Sequence, residues 1–168
     1  MSAGPSPSFP RPGRVLVTGA DGFIGKALCA GLAAAKVPHV GAVRALRPGA
    51  TPSADIVALG DFAAAEWTPV LQSVDAIVHL AGRAHVATAR DASDPTPFVV
   101  ANVHVTRRLL DAAKRAGVRR VVLASTIKVY GEATRPGNPF RAGDPAAPYD
   151  AYAHSKGGAE NVLWQACR

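Results

Sequence analysis

Val15-Leu-Val-Thr-Gly19-Ala-Asp-Gly22-Phe-Ile-Gly25 sets three glycines at a spacing of three, behind a short apolar run and ahead of a helical pattern. A strand that ends in glycines and turns at once into a helix leaves backbone N–H groups unobstructed at the positive end of that helix. A diphosphate can approach such a place closely. The flanks decide the reading, because in a chain with 16 glycines the pattern means little without a strand before it and a helix after it. The residue-level alternative is a tight turn that binds nothing.

Outward from this turn, short apolar runs (Val15–Val17, His39–Val43, Ile56–Leu59, Ala76–Leu80, Val121–Ala124) alternate with helical patterns (Phe23–Ala35, Phe62–Leu71, Pro95–Ala116, Pro148–Cys167). Strand, helix, strand in repetition requires each crossover to return over the sheet. The expected fold class is therefore α/β, a doubly wound parallel sheet with helices on both faces. Asp94-Pro95 supplies a cap and a first-turn proline, and Gly117 a C-cap, around a stripe of Phe98, Ala101, Val105, Leu109 and Ala112. The segment 131–147, with Pro136, Pro139 and Pro145, has the length of a lid or binding loop. Residues 1–13 hold four prolines and little to bury, so they read as a flexible tail before one domain over 14–168.

The composition narrows the function class. At 168 residues and 48% hydrophobic the chain can build a proper core. No apolar run approaches the ~20 residues that cross a bilayer, and the first ten residues lack a basic start and an apolar stretch. The expectation is a soluble, unexported, cytoplasmic protein with no membrane partner. Cys29 and Cys167 stand far apart and read as reduced thiols. The net charge of +7 comes from scattered basic residues such as Arg107-Arg108 and Arg119-Arg120, without a dense run, which argues against nucleic acid and suits an anionic small ligand. His79, His85, His104 and His154 have no metal-site spacing, and no metal is expected.

Further motifs follow the glycine turn in order: Gly60-Asp61, His79-Leu-Ala-Gly82, Asn102-Val103, Ser125-Thr-Ile-Lys-Val-Tyr-Gly131, and Tyr152-Ala-His-Ser-Lys156 with Glu160. Together they resemble the extended short-chain dehydrogenases/reductases, the group of nucleotide-sugar epimerases, dehydratases and reductases. The resemblance covers nearly everything from Arg14 to Arg168. It implies a Rossmann-type sheet in the order 3-2-1-4-5, lacking the usual last strands and the substrate domain, with the fifth strand left as a hydrophobic edge. It implies a nicotinamide cofactor held by Gly19, Gly22, Phe23, Ile24, Gly25, Asp61, Phe62, Leu80, Ala81, Gly82 and Asn102, together with Tyr152 and Lys156. It also implies a nucleotide-sugar substrate and a homodimer through helices 95–116 and 148–167.

In such folds a carboxylate about 20 residues beyond the glycines binds the ribose of NAD, while an arginine there accommodates the extra phosphate of NADP. Here the second strand ends Ala42-Val43-Arg44, and no Asp or Glu lies between Asp21 and Asp55. That favours NADP, with Arg44 and Arg47 as phosphate contacts. NAD stays open, because a strand-end arginine can equally be a solvated surface residue.

Tyr152 and Lys156 are four residues apart, one helical turn on one face. A phenol is a poor base at neutral pH, and a neighbouring ammonium favours the phenolate, which can then exchange a proton with a sugar hydroxyl or ketone. By resemblance Thr126 donates a hydrogen bond to the reacting oxygen, completing a Thr-Tyr-Lys catalytic set. Thr126 replaces the more usual serine and keeps the donor. Lys128 is a second departure, and Ile127-Lys128 resembles enzymes that epimerise or reduce carbon 4 of UDP-linked hexoses. Two functions follow: an NAD(P)-dependent oxidoreductase or epimerase on a nucleotide-linked sugar, or a truncated, catalytically silent dinucleotide-binding module.

Overall fold

The computed structural model describes residues 13–46, 55–84, 94–134 and 136–167. The expected tail over 1–13, apart from Gly13, lies outside the described residues, as do Arg47 and His85. Five strands form one sheet: β1 (Val15–Thr18), β2 (His39–Val43), β3 (Ile56–Ala58), β4 (Ala76–His79) and β5 (Arg120–Leu123). Their order is β3-β2-β1-β4-β5, as the resemblance implies, and all neighbours are parallel, as the alternation predicts. Thr18 stands opposite both Ala42 and His79, and His79 opposite Leu123, so four strand ends come level along one edge of the sheet. The chain reverses its direction of progress between β1 and β4, which is where ligands enter such sheets.

Helix α1 (Phe23–Ala34) joins β1 to β2, and its Leu28 and Leu32 pack with Val15, Val17 and Val43. On the other sheet face Leu16, Ile77, Phe62, Trp67, Leu71, Val105 and Leu109 form the larger core. That core includes the helix α2, residues 96–116. Gly117, at φ 74°, takes the left-handed conformation that closes α2, and its N–H reaches the carbonyls of Ala113 and Lys114. Helix α3 (Ala151–Ala166) packs on α2 and begins where the Asp150 side chain accepts the Ala153 N–H at 2.7 Å.

Two expectations change. Residues 62–71 are turns rather than a helix. The Asp61 carboxylate and carbonyl close a turn over Ala63 and Ala64, and Pro69 has no N–H and disfavours helical backbone at Thr68. Phe62 and Trp67 then plug the core with ring centroids 5.1 Å apart.

Helix α2 is not regular either. After one α turn (Thr96–Phe98) it widens into a π-helical segment (Val99–His104), where Val105 N–H bonds to the Val100 carbonyl, and only then runs as α-helix over Val105–Ala116. The stripe inferred from the sequence is therefore split. Val105, Leu109 and Ala112 face the sheet core, whereas Phe98 sits beside Tyr152.

Among the described residues β5 pairs with β4 alone, and Val122 is 52% exposed, as expected of an apolar edge. The loop after β5 forms a 3-10 turn (Ile127–Tyr130). The segment 131–147 folds back on it through Tyr130 Oη to the Ala142 carbonyl (3.1 Å), Ala147 N–H to the Val129 carbonyl (2.9 Å) and the Tyr130 and Phe140 rings.

Candidate active site

Gly19 turns out of β1 at φ 69°, and a Cβ there would lie 2.9 Å from the Ala81 backbone nitrogen. Only glycine lets the ends of β1 and β4 come so close. A Cβ on Gly25 would collide with the Gly19 carbonyl, so the third glycine lets α1 sit against the turn. Gly22 caps α1 without a side chain, and the first turn of the helix carries no acidic residue. The positive end of α1 is thus left open toward an incoming anion.

Beside this turn lies an open cleft of about 370 Å³. Of the cofactor residues expected from the sequence, Gly19, Gly22, Arg44, Asp61, Phe62, Leu80, Ala81 and Gly82 line it. Phe23 and Ile24 do not; they are 96% and 60% exposed at the start of α1. Asp21, Ala63, Arg83 and the α2 residues Pro97, Val100, Ala101 and Val105 line it as well. Asp21 and Arg83 adjoin motifs and were within reach of the sequence. The α2 residues were not, because their placement depends on the π segment.

The floor of the cleft is held by a buried chain of hydrogen bonds whose directions follow from its members. The Ala81 N–H donates to Thr18 Oγ1 (3.2 Å), Thr18 Oγ1 and His79 Nδ1 are 2.6 Å apart, and His79 Nε2 and Thr106 Oγ1 3.1 Å apart. Thr106 Oγ1 gives its proton to the Asn102 carbonyl at 2.6 Å. That proton is therefore spent, so His79 must donate from Nε2, and Nδ1 accepts from Thr18. Burial, with a smaller contribution from the Lys156 charge, lowers the His79 pKa to about 3 and keeps the ring neutral.

Asn102 extends this chain to α3. Its Oδ1 accepts the Arg83 N–H (2.8 Å), and its Nδ2 donates to the Arg83 carbonyl (3.0 Å) and to Ser155 Oγ (2.8 Å). Ser155 in turn donates to the Tyr152 carbonyl at 2.7 Å. Asn102 is absent from the cleft lining, and both N–H bonds of its carboxamide are taken by the protein. It shapes the cleft from behind, because a Cβ on Gly82 would stand 2.7 Å from Asn102 Oδ1.

Tyr152 and Lys156 do not line the cleft; they occupy successive turns of α3, which packs on α2. Lys156 is 6% exposed, and burial lowers its pKa while the Glu160 charge opposes that shift. The Tyr152 ring lies 6.4 Å from that of Phe98, and the Arg83 guanidinium carbon stands 5.5 Å from the centre of the same Phe98 ring. Thr126 caps the 3-10 turn, its Oγ1 accepting the Lys128 N–H at 3.3 Å, and this turn packs on α3 with Val129 buried. The three expected catalytic residues thus sit on two elements in contact. Among the described residues no group of three or more His, Cys, Asp or Glu could hold a metal, and no helix is long and apolar enough to cross a membrane.

Fold and cleft define a Rossmann-type α/β unit with Tyr152 and Lys156 on the helix packed against α2. The NAD dependent epimerase/dehydratase family matches residues 15–168, and the chain belongs to that family. It is 34% identical over 155 residues to UDP-glucose 4-epimerase of Vibrio cholerae, covering 90% of this chain and 46% of the relative. It is 36% identical over 163 residues to dTDP-glucose 4,6-dehydratase of Streptomyces griseus, covering 83% and 49%. Its fold is similar to that of MoeE5 in complex with UDP-glucose and NAD, with a TM-score of 0.79 and 32% identity over 92% of this chain and 49% of that one. The chain spans about half the length of the curated relatives it matches.

Proposed function

We propose that this chain is the cofactor-binding and proton-transfer half of an NAD(P)-dependent enzyme acting on a nucleotide-linked hexose, by epimerisation or ketone reduction at carbon 4. The observation that carries this reading is one cleft lined by the glycine turn and the ends of β2, β3 and β4, with Tyr152 and Lys156 on the helix beyond it. The cleft fits a dinucleotide: the helix end has no side-chain cap, Gly19 and Gly22 leave space for a diphosphate, and Asp61 and Arg44 stand at the far strand ends. A nicotinamide dinucleotide bound there supplies the hydride acceptor and donor.

The protein's own residues handle the proton and the orientation. Tyr152 Oη takes the proton of the sugar hydroxyl or returns it to the ketone oxygen. The Lys156 ammonium, held one turn away, favours the phenolate form and offers N–H donors to ribose hydroxyls. Thr126 Oγ1 accepts from Lys128, which leaves its own O–H to donate to the reacting oxygen. Tyr152→Phe is expected to lower kcat about 100- to 10,000-fold while leaving dinucleotide affinity intact. Turnover of UDP-glucose or a UDP-4-keto-hexose by Tyr152→Phe at the wild-type rate would overturn the assignment.

Arg44 and the lack of a carboxylate after β2 favour NADP, whereas NAD in the solved relatives favours the dephosphorylated form. Calorimetric titration with NADPH and NADH decides between them. Arg44→Ala should cost NADPH about tenfold and NADH little if the guanidinium meets the 2′-phosphate. A second reading, a dinucleotide-binding module without turnover of its own, is favoured by the absence of Tyr152 and Lys156 from the cleft lining. Micromolar cofactor binding with no reaction on any UDP-hexose would support it.

A further inference from the structure

Thr126 and Tyr152 belong to different elements, separated in sequence by the whole segment 127–151, and the proposed chemistry needs their hydroxyls in fixed relation. The residues bracketing Thr126 each tie its turn to α3. On one side Ser125 Oγ donates to Glu160 Oε1. On the other the Lys128 ammonium donates to Asp150 Oδ2 at 2.7 Å, while the Lys128 backbone N–H donates to Thr126 Oγ1. Asp150 is the N-cap of α3, and Glu160 lies one turn beyond Lys156, so the two carboxylates flank Tyr152 and Lys156 along the helix.

From this arrangement we propose that Lys128–Asp150 and Ser125–Glu160 act as two struts that set the Thr126 turn against α3, and that Lys128 is a positioning residue for the Thr126 hydroxyl. It sits at a position that the proposed chemistry leaves without a role. A single lysine is anchored at both ends: its amide fixes the threonine oxygen, and its ammonium fixes the cap of the tyrosine helix. A charged donor to a carboxylate gives the stronger, more directional kind of hydrogen bond. Each partner shifts the other toward its charged form, Lys128 upward and Asp150 downward, chiefly through their mutual hydrogen bond, so the strut persists across neutral pH. An exposed pair of this kind adds little to global stability, and its effect is local geometry.

The inference rests on the reading of Thr126 and Tyr152 as working hydroxyls, but it can be tested without turnover. Amide exchange is followed in the whole chain at Lys128 and Val129, whose N–H groups both bond to Thr126. Lys128→Met should speed exchange at both by about tenfold while amides of β1 and β4 and the affinity for NADH stay unchanged; Lys128→Arg should restore protection. Asp150→Asn, which keeps an acceptor for Ala153, should match Lys128→Met, and the double variant should go no further than either. Unchanged exchange in Lys128→Met, or effects that add in the double variant, would overturn the strut. With a UDP-4-keto-hexose as substrate, Lys128→Met should lower kcat about tenfold at constant KM, and a change confined to KM would likewise overturn the positioning role. A wild-type chain that neither binds NADH nor reacts refutes the proposed function, and the struts then stand or fall on the exchange rates alone.

Discussion

The cleft floor and the Thr126 turn are built by opposite means. Behind the cleft, Thr18, His79, Asn102, Thr106 and Ser155 are each at most 2% exposed and form a neutral, fully directed set of hydrogen bonds. At the turn, the ties Lys128–Asp150 and Ser125–Glu160 run over the surface and involve charge. A buried neutral network is costly to interrupt and indifferent to salt, whereas exposed charged ties are cheap to interrupt and can be tuned. The cleft is thus backed by ties that are hard to interrupt, and the Thr126 turn is held by ties that are easy to tune.

The sharpest way to break this contrast is Asn102→Ala. It strands the Arg83 N–H, the Arg83 carbonyl and Ser155, at about 1 kcal/mol each, so urea unfolding should show a loss of about 3 kcal/mol. A loss near zero would mean the floor is not held as described.

Next comes acid. The folded-state pKa of His79, about 3, lies below its unfolded value near 6.5, so below pH 6.5 the unfolded chain binds the extra proton and the native state loses ground. The stabilisation is complete above the unfolded pKa and drains away as pH falls from 6.5 toward 3. From pH 7 to 5 this contributes a loss of about 2 kcal/mol, which His79→Gln should abolish in parallel urea titrations.

Gly82→Ala comes third. Its Cβ would press on Asn102 Oδ1, and a cost of about 1 to 3 kcal/mol with weakened NADH binding is expected from denaturation and calorimetry. The smallest effect sharpens the other half of the comparison. Raising NaCl from about 0.1 to 1 M should quicken exchange at Lys128 and Val129 and leave the amides of β1 and β4 unmoved.

Much of this was legible in the sequence where local chemistry settles structure. The parallel sheet followed from alternation, its strand order from the family resemblance, the α2 terminus from Gly117, and eight cleft residues from the motifs at strand ends. What escaped depends on packing. Phe62 to Leu71 has a helical spacing of apolar residues, yet Asp61 and Pro69 divert the backbone and the two aromatic rings serve the core from turns. Asn102 looked like a ligand contact because it sits within a family motif, while only its three-dimensional partners reveal it as a bracket between Arg83 and Ser155. Phe23 and Ile24 share the glycine motif with the cleft, but the first turn of α1 carries them outward.

The π segment Val99–His104 carries a consequence for insertions and deletions. A π turn holds one residue more than the α turn it replaces, so the extra residue is absorbed within a single turn, and removing one there would let the helix close as ordinary α with the segments on either side still in phase. Phe98 would stay on the side of Tyr152, while residues inside the segment, Asn102 among them, would be redirected. This stretch can therefore lose one residue without turning Phe98 from Tyr152, and aligned sequences of relatives should show single-residue length changes there sooner than within Val105–Ala116.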